Sequence, residues 1–394
     1  MDPAVARRLV AAEGDEALMA AAAQADPGSL AAATALRKRF EPELAAAALA
    51  QDSLRRRART KFGENAGALF FTADGLEQAT RPDVARWRAE RLVTAGVTRV
   101  IDLGCGLGTD ALAMVDAGLD VVAVERDETT AVLAAANLAG RAQVRHADAT
   151  ESDLADRTVF CDPARRTGAG RTWNVADFSP PWPFVTGLLD RPAGACLKLG
   201  PGVPHRLLPE ETRTEWVSHR GDLVEACVWS AGLSAPRAAV GAYAGPGRAA
   251  ILLPAGETLQ VDPAAPSPSV SEPGRYLHEP DPGVLAAGGL PTLAAAMSAS
   301  RVHPDIAYLT TDNPTRSPWW TSFEVVQAMP WRERELRRWA RDNDIGVLEI
   351  KKRGIEIDPA ALRRRLKLTG TRSATIVITP TLGAAQVLVV NRLE

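Results

Sequence analysis

The residues best placed to do chemistry lie in one short run, Asp102-Leu103-Gly104-Cys105-Gly106-Leu107-Gly108-Thr109-Asp110. An acid precedes three alternating glycines. Glycine lets a backbone turn sharply and bring its N–H groups close to a ligand. Thr109 and Asp110 suit the start of a helix, which favours negative or electron-rich groups. The spacing departs from the dinucleotide pattern G-x-G-x-x-G, which would need a glycine where Thr109 stands. Further acids follow at regular intervals: Glu125, Asp148 and Asp162. Each closes a short strand-like run, and carboxylates so placed can accept hydrogen bonds from hydroxyl, amino or amide groups.

The elements that must position these acids are strands. Val97 to Leu103 is apolar without alternation, as in a parallel strand covered on both faces. Leu119 to Glu125, Gln143 to His146 and Thr158 to Cys161 read as three more, and Ala195 to Leu199 as a fifth. Open α/β sheets bind ligands at the C-terminal ends of such strands. The hairpin-like segments Trp216 to His219 and Leu223 to Ser230, and a last strand Arg248 to Pro254, complete a doubly wound sheet. Lys198 closes the fifth strand and faces the same cleft as Asp162.

With 394 residues, two or three domains are expected. Hydrophobic content of 46% and charged content of 24% are those of a soluble globular chain. The four Cys are widely spaced and the five His scattered, so neither a zinc site nor a disulfide framework is expected, and no metal is assigned. That pattern suits a reducing, cytoplasmic setting. No apolar run approaches membrane-spanning length. Residues 1–95 read as helical, 96–255 as the α/β core, 256–330 as a proline-marked linker and connecting segment, and 331–394 as a small α/β domain. In the first segment, the five cations from Arg55 to Lys61 suit either a solvated helix face or a phosphate-contacting stripe. The aromatic residues Trp173, Phe178 and Trp182 could stack on a base or pack their loop onto the sheet. Cys161 and Cys196 read as small core residues.

The run Asp102 to Gly108 resembles motif I of the class I S-adenosylmethionine-dependent methyltransferases. Asp162-Pro163-Ala164-Arg165-Arg166 matches their motif IV, the substrate-side loop. Together with Asp74 to Thr80, Lys198 to Gly202, Tyr276 to Pro282, Ile350 to Gly354 and Leu362 to Leu366, these residues resemble bacterial members that carry a C-terminal THUMP-like domain. The resemblance covers about Leu54 to the C-terminus. It implies a Rossmann-like, seven-stranded core and S-adenosyl-L-methionine as cofactor. Asp102, Gly104, Cys105, Gly106 and Gly108 would form the cofactor turn, with Glu125 and Arg126 at the ribose. Asp148 and Ala149 would meet the adenine, and Gln78, with Thr80, would line the pocket from the preceding segment. Asp162 and Arg165 would act at the acceptor, Asp162 also touching the cofactor. Ala164 and Arg165 depart from the Pro-aromatic pair of enzymes that methylate exocyclic amines.

THUMP domains occur in RNA-modifying enzymes, so the resemblance favours RNA, with no DNA or membrane partner. Charge agrees: residues 331–394 carry 14 Lys/Arg against 8 Asp/Glu, a net +6, against −8 for the remainder. The expected RNA contacts are Lys351, Lys352 and Arg353 at a strand end, and Arg363, Arg364 and Arg365 on the following helix. A small-molecule or protein methyltransferase is the competing enzyme reading. A cofactor-binding RNA-interaction protein without turnover is the third.

Overall fold

The computed structural model describes residues 1–154, 156–165, 173–233 and 245–393. The chain divides into two compact units. Unit 1 comprises Met1–Glu215 and Glu225–Gly247, and unit 2 comprises Trp216–Val224 and Arg248–Glu394.

Unit 1 opens with helices α1 (Pro3–Leu9), α2 (Ala12–Ala22), α3 (Leu30–Arg37) and α4 (Pro42–Phe62). Asp2 and Ser29 cap α1 and α3 by accepting backbone N–H bonds. Leu9, Leu18, Leu36, Leu44 and Leu49 bury together, each contributing about 1.5–3 kcal/mol of transfer free energy. Helices α5 (Ala73–Gln78) and α6 (Pro82–Thr94) lead into the sheet. Its first half alternates strand and helix: β1 (Arg99–Leu103), α7 (Thr109–Asp116), β2 (Asp120–Glu125), α8 (Glu128–Leu138), β3 (Gln143–His146) and β4 (Thr158–Cys161). A two-residue pair, β5 (Ala164–Arg165) and β6 (Phe178–Ser179), and helix α9 (Trp182–Gly187) precede β7 (Ala195–Leu199). Then come β8 (Arg213–His219) and β9 (Asp222–Trp229).

Within a nine-stranded sheet, seven strands run in the order β8-β9-β7-β4-β1-β2-β3. Strands β7, β4, β1, β2 and β3 are parallel, and β9 is antiparallel to β7. These are the seven strands and the Rossmann-like order that the sequence implied. The parallel strands end on one edge, so Leu103, Glu125, His146, Cys161 and Leu199 mark a common rim. The candidate acids stand on or just beyond it.

Unit 2 holds the tips of β8 and β9, with β10 (Gly247–Leu253) and β11 (Glu257–Gln260). It also holds a second sheet of seven strands: β12 (Tyr276–Pro280), β13 (Ser300–His303), β14 (Ile306–Thr311), β15 (Trp320–Pro330), β16 (Ile345–Lys352), β17 (Arg372–Pro380) and β18 (Ala385–Arg392). Their order is β13-β14-β12-β15-β18-β17-β16. Helices α10 (Pro282–Ala287) and α11 (Leu290–Met297) precede β13, and α12 (Glu333–Asp342) and α13 (Pro359–Leu366) flank β16. The order expected from 331 onward, helix-strand-helix-strand-strand, is present.

Residues 256–330 differ from a connecting segment. They supply β11 to β15 and two helices. Four of their prolines, Pro263, Pro266, Pro268 and Pro273, fall in the stretch between β11 and β12. Beyond it, Tyr308, Leu277 and Phe323 bury against Val377, Leu388 and Val390. A boundary at 331 would part β15 from β18, which pair from Phe323↔Arg392 to Pro330↔Gln386. Two apolar faces of one sheet need both halves.

Gly346 sits at a register irregularity between β16 and β17. A Cβ there would fall 1.9 Å from the Gly370 carbonyl oxygen. Gly346→Ala should therefore destabilise unit 2 by about 3 kcal/mol, the scale of an overpacked contact. A lowered denaturant midpoint at constant slope would confirm it. An unchanged midpoint would show that the irregularity opens freely.

Candidate active site

The glycine turn takes the shape its composition allows. Gly104, Gly106 and Gly108 have φ of +80°, +55° and +77°, the left-handed region that side chains disfavour. The Gly104 and Cys105 N–H groups donate to the Val124 carbonyl at 2.9 and 3.0 Å, tying the turn to β2. A Cβ on Gly106 would meet nothing within 4 Å, so this side of the turn is open to a ligand. Helix α7 starts immediately after the turn, with Asp110 in its first turn.

Three acids stand around the turn. Glu125 accepts the Gly106 N–H on Oε2 at 3.0 Å and the Asp127 N–H on Oε1 at 2.8 Å. Each oxygen keeps a lone pair for a further donor. Asp148 is held by Thr150, whose hydroxyl and N–H donate to Oδ1 at 2.7 and 2.8 Å. Those bonds hold its carboxyl below the usual carboxylate range. Ala149 begins the short 3-10 turn that Asp148 caps. Arg126 is exposed, and its carbonyl meets the His146 ring at 3.0 Å.

Asp102 differs from both. Its side chain is fully buried, and neither carboxyl oxygen has a hydrogen-bond partner among the described residues. Burial, then the neighbouring Asp110 and Asp162, push its pKa far up. A buried carboxyl without partners stays protonated until a donor or cation satisfies it.

Asp162 follows β4 and receives the Lys198 ammonium on Oδ2 at 2.5 Å. Burial works against the Lys198 charge, but Asp162, Asp110 and Glu225 outweigh it and raise the lysine's pKa. Arg165 is described by its backbone, in β5, and Arg166 lies outside the described residues. Trp173 stacks on Phe178 at 5.6 Å, and Phe178 contacts Trp182 at 5.1 Å. These aromatic residues pack on one another, with Phe178 buried. Cys105, Cys161 and Cys227 are buried thiols whose pKa burial drives well up, and Cys196 is buried with them.

Beneath the turn lies a group that the sequence reading passed over. Arg88 of α6 has no solvent exposure and bridges Asp110 of α7 and Glu225 of β9. Its guanidinium also lies 4.8 Å from the Phe160 ring centre. Thr80 donates its hydroxyl to the other oxygen of Asp110 at 2.6 Å, so it braces this network. Gln78 ends α5 exposed. Burial alone would raise the Asp110 carboxyl, but Arg88, Lys198 and the Thr80 bond hold it low. The sequence carries a signal for Arg88. It falls in the stripe Val84-Ala85-Arg88-Ala89-Leu92, whose spacing marks the buried face of α6.

Comparison with known proteins decides the family. Two uncharacterised S-adenosylmethionine-dependent methyltransferases of Mycobacterium tuberculosis, from strains CDC 1551 / Oshkosh and ATCC 25618 / H37Rv, are each 37% identical over 340 residues. The match covers 83% of this chain and 90% of theirs. The chain belongs to the S-adenosylmethionine-dependent methyltransferases. A THUMP domain-like family model matches residues 320–392, and a domain of unknown function matches residues 2–58. A solved structure from Porphyromonas gingivalis W83, classed as a methyltransferase, shares the fold. Its TM-score is 0.72 at 21% identity, covering 96% of this chain and 99% of that one.

The residues present fit the methyltransferase cofactor. S-adenosylmethionine carries ribose hydroxyls, an ammonium and a sulfonium. The open glycine turn, the lone pairs of Glu125 and the orphaned Asp102 carboxyl offer acceptors of matching type. When bound, the cofactor supplies an electrophilic methyl group. Glu125, Asp102 and the glycine turn are the residues that would hold it.

Arg88→Met should cost this methyltransferase about 3–5 kcal/mol, because Asp110 and Glu225 would stay buried without their cation. Asp110 has a depressed pKa in the folded protein, so its stabilisation is present above its unfolded value and lost as pH falls. In the variant the unpaired carboxylates gain by protonation. The stability gap to wild type should therefore narrow as pH is lowered. Urea unfolding across pH reads both effects, and a pH-independent gap would contradict the ionic account.

Proposed function

We propose that this methyltransferase acts on RNA, with Glu125 accepting the ribose hydroxyls of the cofactor and Asp148 the adenine amino group. In this reading Asp102 faces the methionine part, and Asp162 with Arg165 works on the acceptor side. The THUMP domain-like match supports RNA. The observation that carries the reading is a cleft of about 750 Å³ in unit 2. Arg220, Lys351, Lys352, Arg353 and Arg392 line it, against Glu279 and Asp281, with the Trp320 indole in one wall.

Among the described residues, no acid pairs with Arg220, Lys352 or Arg392. Arg353 lies 5.6 Å from the Tyr308 ring centre. Lys351 is engaged, with Nζ 2.6 Å from Glu279. The cations of α13 stand apart from the cleft lining. Arg363 donates to the Leu348 carbonyl at 3.4 Å, and Arg365 pairs with Glu333 at 2.9 Å. Arg364 is exposed. The phosphate contacts in this proposal accordingly centre on Lys352 and Arg353 of the expected set, joined by Arg220 and Arg392.

The stripe from Arg55 to Lys61 has other work. Arg55 donates to the Leu69 carbonyl at 2.9 Å, and Arg56 to Asp52 and to the carbonyls of Ala25 and Gln24. No helix among the described residues is long and apolar enough to cross a membrane. A cytoplasmic place of work, consistent with four buried free cysteines, belongs to the same proposal.

Glu125→Ala should weaken S-adenosylmethionine binding by about 2–4 kcal/mol, the worth of two charge-assisted hydrogen bonds. Calorimetry with unchanged affinity would remove Glu125 from the cofactor site. For RNA, four phosphates neutralised in the cleft predict that log affinity falls with log salt at a slope of about −3 to −4. Replacing Lys352, Arg353 and Arg392 by Ala should flatten it by about two to three. Anisotropy with a fluorescein-labelled single-stranded RNA measures this. A triple variant with the wild-type slope would move the acceptor towards a small molecule.

A further inference from the structure

Near the glycine turn of unit 1 stands a second lysine that the cofactor and acceptor assignments leave unused. Lys61, in the last turn of α4, donates from Nζ to the Leu76 and Glu77 carbonyls at 3.0 and 3.1 Å. Helix α5, which carries those carbonyls, abuts the glycine turn: a Cβ on Gly75 would fall 2.7 Å from Leu107 Cδ1. Lys61 is therefore held in the corner that the turn occupies.

The geometry fixes more than position. A neutral amine has two N–H donors and one lone pair. Here both donors are taken by carbonyls, so the lone pair is the remaining direction. The charged groups that Lys61 feels come from three other elements. Lys198 of β7 and Arg81 at the head of α6 oppose its charge, and Asp110 of α7 favours it. Glu77 meets it through its backbone carbonyl. Burial, with Lys198 and Arg81, brings its pKa down to about 8, well below the ordinary 10.5, so the neutral amine is reached at mildly alkaline pH.

The rest of the rim narrows the acceptor. Enzymes working on a base amine need a free acceptor for its N–H groups and a surface for its ring. One carboxyl oxygen of Asp162 is taken by Lys198 at 2.5 Å, leaving Oδ1 to accept, while Trp173, Phe178 and Trp182 pack on one another and present no free ring face for a base. Two lysines at one rim suit a different demand, an oxygen that loses its proton and gains negative charge. Lys198 gives one of its three N–H donors to Asp162, so donors remain for such an oxygen.

We propose that the acceptor is a ribose hydroxyl of the RNA, that Lys61 Nζ takes its proton, and that Lys198 stabilises the developing oxyanion. The O–H bond breaks as Nζ binds the proton. The oxygen's electron pair forms the new C–O bond to the cofactor's methyl, and the C–S pair stays on sulfur, leaving a neutral thioether. Lys61 returns its proton to solvent. The inference rests on the RNA reading for its acceptor.

Three measurements test it on the full chain. The first is the rate at which acetic anhydride modifies Lys61, followed against pH by peptide mass. A midpoint near 8 is expected, and one near the ordinary 10.5 overturns the proposal. In the second, Lys61→Arg keeps a cation for the same carbonyls but cannot lose a proton at working pH. Its kcat should fall about 100-fold with cofactor affinity unchanged. The wild-type kcat should rise with pH and level off above about 8. Wild-type turnover in Lys61→Arg would show that Lys61 only caps α5. The third incubates the protein and S-adenosylmethionine with total RNA from a strain lacking the gene, followed by nucleoside mass spectrometry. Methyl on the ribose supports the proposal. Methyl on a base overturns it and leaves the RNA reading standing. No methylated nucleoside takes both down.

Discussion

A guanidinium shut away from water is costly unless its surroundings return what solvent gave, and unit 1 is arranged around that requirement. Arg88 donates to Asp110 and Glu225 and lies over the Phe160 ring. Such a set contributes little net stability compared with an apolar packing of the same volume, but breaking it is severe. Its effect is therefore on arrangement. It holds the middle of α6, the first turn of α7 and the centre of β9 to one another, and α7 begins where the glycine turn ends. Thr80 adds the segment before α6 to the same anchor. The glycine turn is fixed from below by a charge that never meets solvent.

Much of that rim was legible in the chain because two physical rules leave plain marks. Parallel strands covered on both faces read as unbroken apolar runs, as Val100 to Leu103 does. Ligands in such sheets gather at strand ends, so Asp102, Glu125, Asp148 and Asp162 could be picked out from position alone. Arg88, Lys61 and Glu225 were illegible for the converse reason. Charged residue types read as surface, and only their place in an apolar stripe or beside a partner from a distant segment says otherwise. Lys61 sat inside a run of cations that invited one common explanation. Arg55, Arg56 and Lys61 instead meet different carbonyl or carboxylate groups.

Unit 2 shows the same limit of reading by composition. The net charge of residues 331–394 correctly marks a basic region, but it cannot tell which cations already have partners. Lys351 is bound to Glu279, which comes from β12, and Arg365 to Glu333 of α12. Arg220 comes from the β8–β9 turn, far away in sequence, yet lines the same cleft. The prolines after Val261 misled in a similar way. The cluster from Pro263 to Pro273 lies between β11 and β12, and the strands beyond it complete the second sheet. Sheet pairing is non-local, and β15 finds its partner β18 only after an intervening helix-strand-helix-strand run.

If the cofactor's cationic end meets the orphaned carboxyl of Asp102, as proposed, its capture acquires a hydrogen-ion stoichiometry. Burial and two acidic neighbours raise the Asp102 pKa, so a cation settling against it would favour release of its proton. Association of a positively charged ligand is then an exchange of one positive charge for another. Its apparent affinity weakens in acid, and its measured heat varies with the ionisation enthalpy of the buffer that takes up the proton. A neutral analogue of the same shape would displace no proton and would show neither dependence.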